Sequence, residues 1–377
     1  MFRSFMFDYL IVGAGLFGAS FARIATDNGK RCLVIEKRDH IGGNCFTKLE
    51  KGIHIHRYGP HIFHTSNEVV WKFVNRFTSF NNFINSPVAL SQGELFSLPF
   101  NMYTFNRLWG CITPSEARQK IKDSVSAIIL RGPAKNLEEQ AIQMVGPELY
   151  ERLIKHYTAK QWHSDPKDLS ADIIKRLPLR FTYNNNYFND IYQGIPNGGY
   201  TRIFDLLLEG SEVEVCRDYL SERASLDCLA HKVVYTGPID SFFDYKYGKL
   251  GYRSLRFEDQ EFETDNYQGN AVINYCDPEV PFTRSIEHLH FDPPAHSVQA
   301  SIITKEYPMP FEDEAIPCYP IDNDVNRDMF RRYSDDAKHV PSFIFGGRLA
   351  QYKYFDMHAV IAQAITACHR ESMPVHC

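Results

Sequence analysis

The sequence predicts an α/β fold: a parallel sheet covered on both faces, interrupted by an all-helical insertion and joined by an antiparallel sheet. Three observations predict it. The unbroken apolar runs Tyr9–Val12 and Cys32–Ile35 lack the alternation of half-exposed strands, as expected where both faces are buried. Gly13, Gly15 and Gly18 follow the first run as G-x-G-x-x-G and lead into a helical pattern over Ala19–Asp27. From about 101 to 168 the pattern is helical, whereas 247–304 carries short alternating runs of the antiparallel kind.

The first element fixes a ligand class. Its glycines supply a tight turn, bare backbone for a pyrophosphate and close helix–strand packing, and the helix N-terminus offers N–H donors to the phosphates. Glu36 ends the second run at the distance where an acid accepts from a ribose hydroxyl. Strand, glycines, helix, strand and acid in this order point to a dinucleotide site rather than an ordinary βαβ turn. The run Glu36–Asn44 adds the basic pair Lys37 and Arg38 and the glycines Gly42 and Gly43; it resembles the FAD-binding version of the motif more than the NAD-binding one. No second G-x-G-x-x-G exists, so a flavoenzyme of this kind takes electrons from elsewhere or works without net redox change.

Length and composition set bounds. A chain of 377 residues predicts two or three domains. A formal charge of −5 argues against a general nucleic-acid binder and confines any anion site to a local arginine cluster. Nine cysteines without a C-x-x-C pair fit reduced thiols of the cytosol. Met1–Asp8 is too short for a signal peptide and no run reaches membrane-spanning length, so a soluble, cytoplasmic protein without membrane insertion is expected.

The remaining elements follow in order. Arg57–Thr65 is rich in histidine, glycine and aromatics; His61 and His64 are three apart but have no third metal ligand nearby, so no metal is expected. A histidine here is better suited to hydrogen-bonding a cofactor or substrate. Asn67–Phe77 reads as a helix with Val70, Phe73, Val74 and Phe77 on one face, and Phe83–Leu98 as a hairpin. Thr113-Pro114-Ser115-Glu116 is a capping box with proline at the first helical position, and Asn136 repeats the cap. Pro147–Lys160 reads as a helix with Tyr150, Leu153, Ile154 and Tyr157 on one face. Arg176–Tyr183 is basic and aromatic; its arginines serve a ligand or pair with surface acids. Val213–Val215 and Lys232–Gly237 read as strands returning to the nucleotide sheet, followed by strand Phe343–Phe345, Gly346-Gly347-Arg348, and a helix from Met357 to Thr366. The expected division is 1–79, 195–245 and 315–377 as a Rossmann-like cofactor domain, 101–168 as a helical domain, and 80–100, 169–194 and 246–314 as an antiparallel substrate domain.

These motifs resemble the bacterial UDP-galactopyranose mutases, a family of FAD enzymes. The resemblance is carried by Gly13–Gly18, Asp39–Asn44, Tyr58–Thr65, Tyr157–Trp162, Lys175–Pro178, Asn186–Asn189, Asn274–Cys276 and Gly346–Leu349, and it covers almost the whole chain. It implies reversible contraction of the pyranose ring of UDP-galactose to the furanose through a covalent adduct of the anomeric carbon with N5 of reduced FAD. It further implies a homodimer, a reductant such as NAD(P)H, and a product destined for cell-surface polysaccharide. By resemblance, Arg176 and Arg284 are the diphosphate arginines, whose forks give bidentate, charge-assisted bonds and stabilise the leaving group, and His64 lies near the flavin ring. Tyr187, Tyr319 and Tyr354 match hydroxyls that reach the phosphates, with Asp356 close by. Tyr157 and Trp162 match the uridine aromatics, and Asn85, Phe188 and Asn274 further substrate contacts. The implied cofactor contacts are Gly13, Gly15, Leu16, Phe17, Gly18, Glu36, Lys37, Arg38, Gly43, Asn44, His61, Ile62, Gly237, Gly347, Arg348, Tyr354, Asp356 and Met357. Leu153-Ile154 depart from the aromatics often found against the uracil, an expected loss of about 1 kcal/mol in base packing. A flavin amine oxidase or desaturase, and a flavin-binding redox sensor, share the dinucleotide fold but leave the arginine–tyrosine–tryptophan set unexplained.

Overall fold

A five-stranded parallel sheet, ordered Phe343–Phe345, Ala230–Tyr235, Phe7–Val12, Cys32–Ile35 and Glu212–Glu214, forms one half of the computed structural model. The structure describes residues 5–128, 132–174, 177–294, 296, 298–312 and 315–375. Successive residues of the first strand enter opposite cores. Tyr9 and Ile11 pack with the helices Leu16–Asp27, Thr201–Leu208 and Met357–Arg370, while Leu10 packs with Leu33, Tyr219 and Phe242 on the other face. Both faces being covered, the strand has no polar alternation. Glu212–Glu214 closes one edge, one residue earlier than the apolar reading of Val213–Val215; all three residues are exposed, and charges on an edge discourage further pairing.

The first helix begins at Leu16, three residues before the expected Ala19, because the motif residues Leu16-Phe17-Gly18 are already helical behind Gly15 as N-cap. Gly13 sits at φ 101°, and a Cβ there would lie 2.1 Å from Thr236 Oγ1, so the turn accepts no side chain. The last helix runs to Arg370, past the expected Thr366.

The second sheet has seven strands, in the order Tyr319–Pro320, Tyr252–Phe262, Ser301–Pro310, Arg284–Glu287, Val272–Tyr275, Val88–Ser91, Glu94–Ser97. It is antiparallel except where Val272–Tyr275 runs parallel to Val88–Ser91. Tyr319–Pro320 belongs to its edge rather than to the parallel sheet, a position where a proline costs no ladder bond. Tyr192–Gly194 joins neither large sheet and pairs with Phe63–Thr65.

The described elements between residues 102 and 162 are all helices: Met102–Trp109, Pro114–Ser126, Leu137–Val145, Pro147–Leu149, a π-helical stretch Tyr150–Lys155, and His156–Trp162. Thr113 and Glu116 make the expected reciprocal cap, and Asn136 caps Leu137–Val145. Leu153 and Ile154 are each 4 % exposed, in a core with Leu137, Ala141, Val145 and Tyr150. They hold the helices together, and looser base packing does not follow from them. No described helix is long and apolar enough to cross a membrane.

Candidate active site

The glycine turn, the Glu36–Asn44 run and the final helix meet at the carboxyl ends of the parallel strands. Glu36 is buried; one carboxylate oxygen accepts from Ala14 N at 2.9 Å and the other from Arg38 N at 3.0 Å. It braces the turn as well as retaining lone pairs for a ribose. Arg38 donates to Asn44 Oδ1 at 2.9 Å and lies 4.5 Å over the ring of Tyr58, whose hydroxyl is 2.7 Å from His40 Nε2. Lys37 turns away, its ammonium pairing with Asp218 in solvent. The helix Leu16–Asp27 has no capping side chain and no acid in its first turn, so its N–H groups have no side-chain anion of their own. Gly43, at φ 55°, faces Gly15, and a Cβ on Gly43 would lie 3.1 Å from the Gly15 Cα. Two bare backbones around an uncapped helix N-terminus fit a pyrophosphate.

Of the other residues expected at a cofactor, Phe17 is buried against Gly346, and Gly347 begins the short helix Gly347–Ala350 at φ 83°. Arg348 donates through Nε to Phe355 O at 2.6 Å and lies 4.5 Å over Tyr354. His61 donates from Nδ1 to Gly59 O, and burial with the nearby Arg348 charge lowers its pKa to about 4, so its ring is neutral. Ile62 packs on the cluster of Ile195, Ile286 and Phe291, Leu16 and Met357 belong to the core beside the final helix, and Gly237 follows the strand Ala230–Tyr235.

A second set of side chains gathers around Arg284, the first residue of Arg284–Glu287. Asn274 is its partner on one neighbouring strand and Glu306 on the other. Arg284 Nε donates to Tyr157 OH at 3.0 Å and lies 3.7 Å from the Glu306 carboxylate. Burial works against its charge, but Glu306, with Tyr157 and Tyr319, holds its pKa well above the usual value. Burial raises Tyr157, Tyr187 and Tyr319, against the opposing Arg284 charge, so each phenol stays protonated. The rings of Tyr319 and Tyr354 stack at 5.8 Å. Asn274 Oδ1 is buried without a partner among the described residues. A guanidinium ringed by neutral hydroxyls suits a strongly anionic group such as a diphosphate.

His64 connects the two sets. It stacks on Phe188 at 3.7 Å, and its Nδ1 is 2.6 Å from Asp190, which also accepts from Ser66. Burial opposes ionisation of Asp190, yet these bonds keep its pKa low, so Nδ1 of His64 is the donor. His64, Asp356 and His358 each offer an atom within 4.8 Å of the others, with no sequence spacing to announce it. Asn85 is buried, and its carbonyl accepts from Tyr187 N at 2.7 Å. Trp162 closes the helix that carries Tyr157. Arg176 lies outside the described residues. Glu306, Asp190 and His358 escaped the sequence reading: Glu306 sits in an alternating strand like a solvent-facing acid, and only strand register brings it to Arg284.

The chain is similar to known proteins along nearly its whole length. A family model described as UDP-galactopyranose mutase matches residues 152–354, and one described as NAD(P)-binding Rossmann-like domain matches 11–77. The chain is 40% identical to the "Probable UDP-galactopyranose mutase" of Klebsiella pneumoniae, over 98% of this chain and 97% of that protein. It is 39% identical to the dTDP-fucopyranose mutase of Escherichia coli, over 94% of this chain and 96% of that one. A crystal structure of reduced UDP-galactopyranose mutase shares the fold, with a TM-score of 0.74 at 13% identity over 98% of this chain and 95% of that one.

Proposed function

The chain belongs to the UDP-galactopyranose mutase family, whose members are isomerases, and from that premise we propose that it interconverts UDP-galactopyranose and UDP-galactofuranose with FAD bound in its reduced state. The observation that carries the proposal is Arg284 among Tyr157, Tyr187 and Tyr319: one buried cation and three neutral hydroxyls, matched to a diphosphate. An oxidase acting on an amine or a hydrocarbon has no use for this set.

The residues at the glycine turn fit FAD, with Gly13, Gly15, Gly43 and the N-terminus of Leu16–Asp27 about the pyrophosphate and Glu36 and Arg38 toward the adenosine end. When bound and reduced, the flavin supplies a nucleophilic N5 for the anomeric carbon. The protein's own contribution is binding and charge. Arg284, with Arg176 as its expected partner, takes the diphosphate by bidentate bonds that strengthen as the leaving UDP gains charge. Tyr187, Tyr319 and Tyr354 add neutral donors, and Tyr157 and Trp162 take the uracil. Asn85, Asn274 and Phe188 line the sugar's side. Asp190 accepts from Nδ1–H of His64 and so fixes the orientation of its ring beside Phe188.

In this reading 101–168 is the helical domain, and the enzyme is a cytoplasmic homodimer reduced by an external donor such as NAD(P)H. Its product would supply galactofuranose for cell-surface polysaccharide. The nearly equal identity to a dTDP-fucopyranose mutase favours a second reading, in which a dTDP-deoxyhexose is the substrate.

The test is conversion of UDP-galactofuranose, and separately of dTDP-fucopyranose, by the purified protein with and without dithionite. Conversion of the UDP-sugar only after reduction supports the first reading, and preference for the dTDP-sugar the second; a bound flavin with neither conversion refutes both. Arg284→Ala is expected to abolish turnover while retaining the flavin spectrum.

A further inference from the structure

Lys160 lies on the helix His156–Trp162 that also carries Tyr157 and Trp162. Its ammonium meets four backbone carbonyls of one loop: Tyr275 at 2.8 Å, Asp277 at 2.9 Å, Val280 at 3.0 Å and Phe282 at 3.2 Å. That loop joins the two strands on which Asn274 and Arg284 are directly opposite each other. An ammonium has three protons, so four converging carbonyls hold it as they would a bound cation. The carboxylate of Asp277 is turned elsewhere, accepting from Gln92 N and Ser91 Oγ. Ordinary surface lysines pair with carboxylates and contribute little. This one is spent on fixing backbone.

We propose that Lys160 is a positioning residue that holds the Arg284 hairpin in register with the Tyr157–Trp162 helix, so that the groups proposed for the base and for the diphosphate are set by a single tether. Two further contacts run along the same seam: Arg284 Nε to Tyr157 OH, and the Cys276 thiol to Leu153 O at 3.4 Å. The first is a single charge-assisted bond and the second a weak thiol donor, against one ammonium shared among four carbonyls. Without the ammonium these are the two described hydrogen bonds left between the loop and the helical segment, so the helix can shift against the strands that fix Arg284. The inference rests on the proposed substrate reading, because the distance it governs matters only to a ligand spanning base and diphosphate.

The experiment compares wild type, Lys160→Ala and Lys160→Met, each as the flavin-loaded full chain. UDP binding is followed by titration and turnover by the furanose assay. Wild type is measured first: failure of wild type to bind UDP overturns the substrate reading and this inference with it. With wild type binding UDP, Lys160→Ala is expected to raise Kd for UDP and KM together about tenfold, the scale of one charged hydrogen bond. It should leave kcat within about threefold, because binding rather than a step of reaction is lost. Adding n-propylammonium, which replaces the deleted side-chain atoms, should restore affinity, whereas tetramethylammonium, having no N–H, should not. Amide exchange over 276–283 should quicken in both variants. Unchanged UDP affinity, or rescue by both amines alike, overturns the tether. Loss of folding in both variants assigns Lys160 a merely structural role and overturns it as well.

Discussion

Glu306 and Arg284 are direct neighbours on adjacent strands and place opposite charges 3.7 Å apart. The carboxylate is 1 % exposed, and its second oxygen has no partner among the described residues. Such a carboxylate compensates the guanidinium when no diphosphate is present and competes with one when it is. Glu306→Gln should therefore lower the stability of the ligand-free protein, by about 3 kcal/mol for a buried pair, yet tighten UDP. The check is thermal unfolding with and without UDP: the ligand should raise Tm more in the variant than in wild type, and equal shifts would refute this balance. At this scale the sequence was legible where a residue sat in a motif, as with Glu36 at a strand end, or where the family resemblance carried it, as with Arg284. Glu306 and Asp190 were not legible, because each acquires its meaning from a partner far along the chain. Lys37 shows the converse: a basic residue in the right run whose side chain turns to Asp218.

The helical segment separates what local chemistry announces from what packing decides. The caps at Thr113 and Asn136 are local hydrogen-bonding problems with local solutions, and both form. Glu116 accepts from the N–H groups of Ile112 and Thr113, and these bonds lower its carboxyl pKa. Thr113→Ala removes the side-chain acceptor for Glu116 N and should cost about 1 kcal/mol. Exchange of amides in Pro114–Ser126 should quicken while kcat stays unchanged; a fall in turnover would show that this cap reaches the cleft. The π-helical turn Tyr150–Lys155 had no such local signal. Its i, i+3, i+4 spacing is what an ordinary helix would show, and the widened turn forms where Tyr150, Leu153 and Ile154 are driven into one core. The long pair Tyr252–Phe262 and Ser301–Pro310 was read as shorter runs for a related reason. Stretches such as Glu258–Glu261 are exposed and charged, and ten consecutive cross-strand pairs rather than apolar pattern define their length.

Across the whole molecule, three histidines tie the segment around Arg57–Thr65 to the seven-stranded sheet and make the fold sensitive to acid. His288 Nδ1 accepts from His56 N at 3.2 Å while its Nε2 meets Thr304 Oγ1 at 2.7 Å; His56 Nδ1 in turn accepts from His61 N at 3.2 Å. A ring nitrogen that accepts a hydrogen bond carries no proton, so geometry alone keeps His56 and His288 neutral. Burial agrees: it lowers His288 to about 3 and His61 to about 4, and takes His56 well below its ordinary value of 6.5. In the unfolded chain these rings protonate as pH falls through 6.5, while in the folded protein they resist. Between pH 6.5 and about 4 the unfolded state therefore binds more protons, and stability is lost as pH falls, by up to about 1.4 kcal/mol per pH unit for each ring. Glu287, buried with donors from His290, Ser301 and the backbone of Tyr267 and Gln268, has its pKa lowered to about 2; it extends the loss below its unfolded value of 4.5. Tm should be nearly constant above pH 7 and fall steeply from pH 6.5 to 5. His288→Asn, whose amide oxygen can still accept from His56 N, should reduce that slope by about one proton while lowering Tm at pH 7 through loss of the Thr304 bond. A Tm that stays level to pH 5, or a slope unchanged in the variant, would show that the rings protonate in the folded protein and that the seam opens to admit the charge.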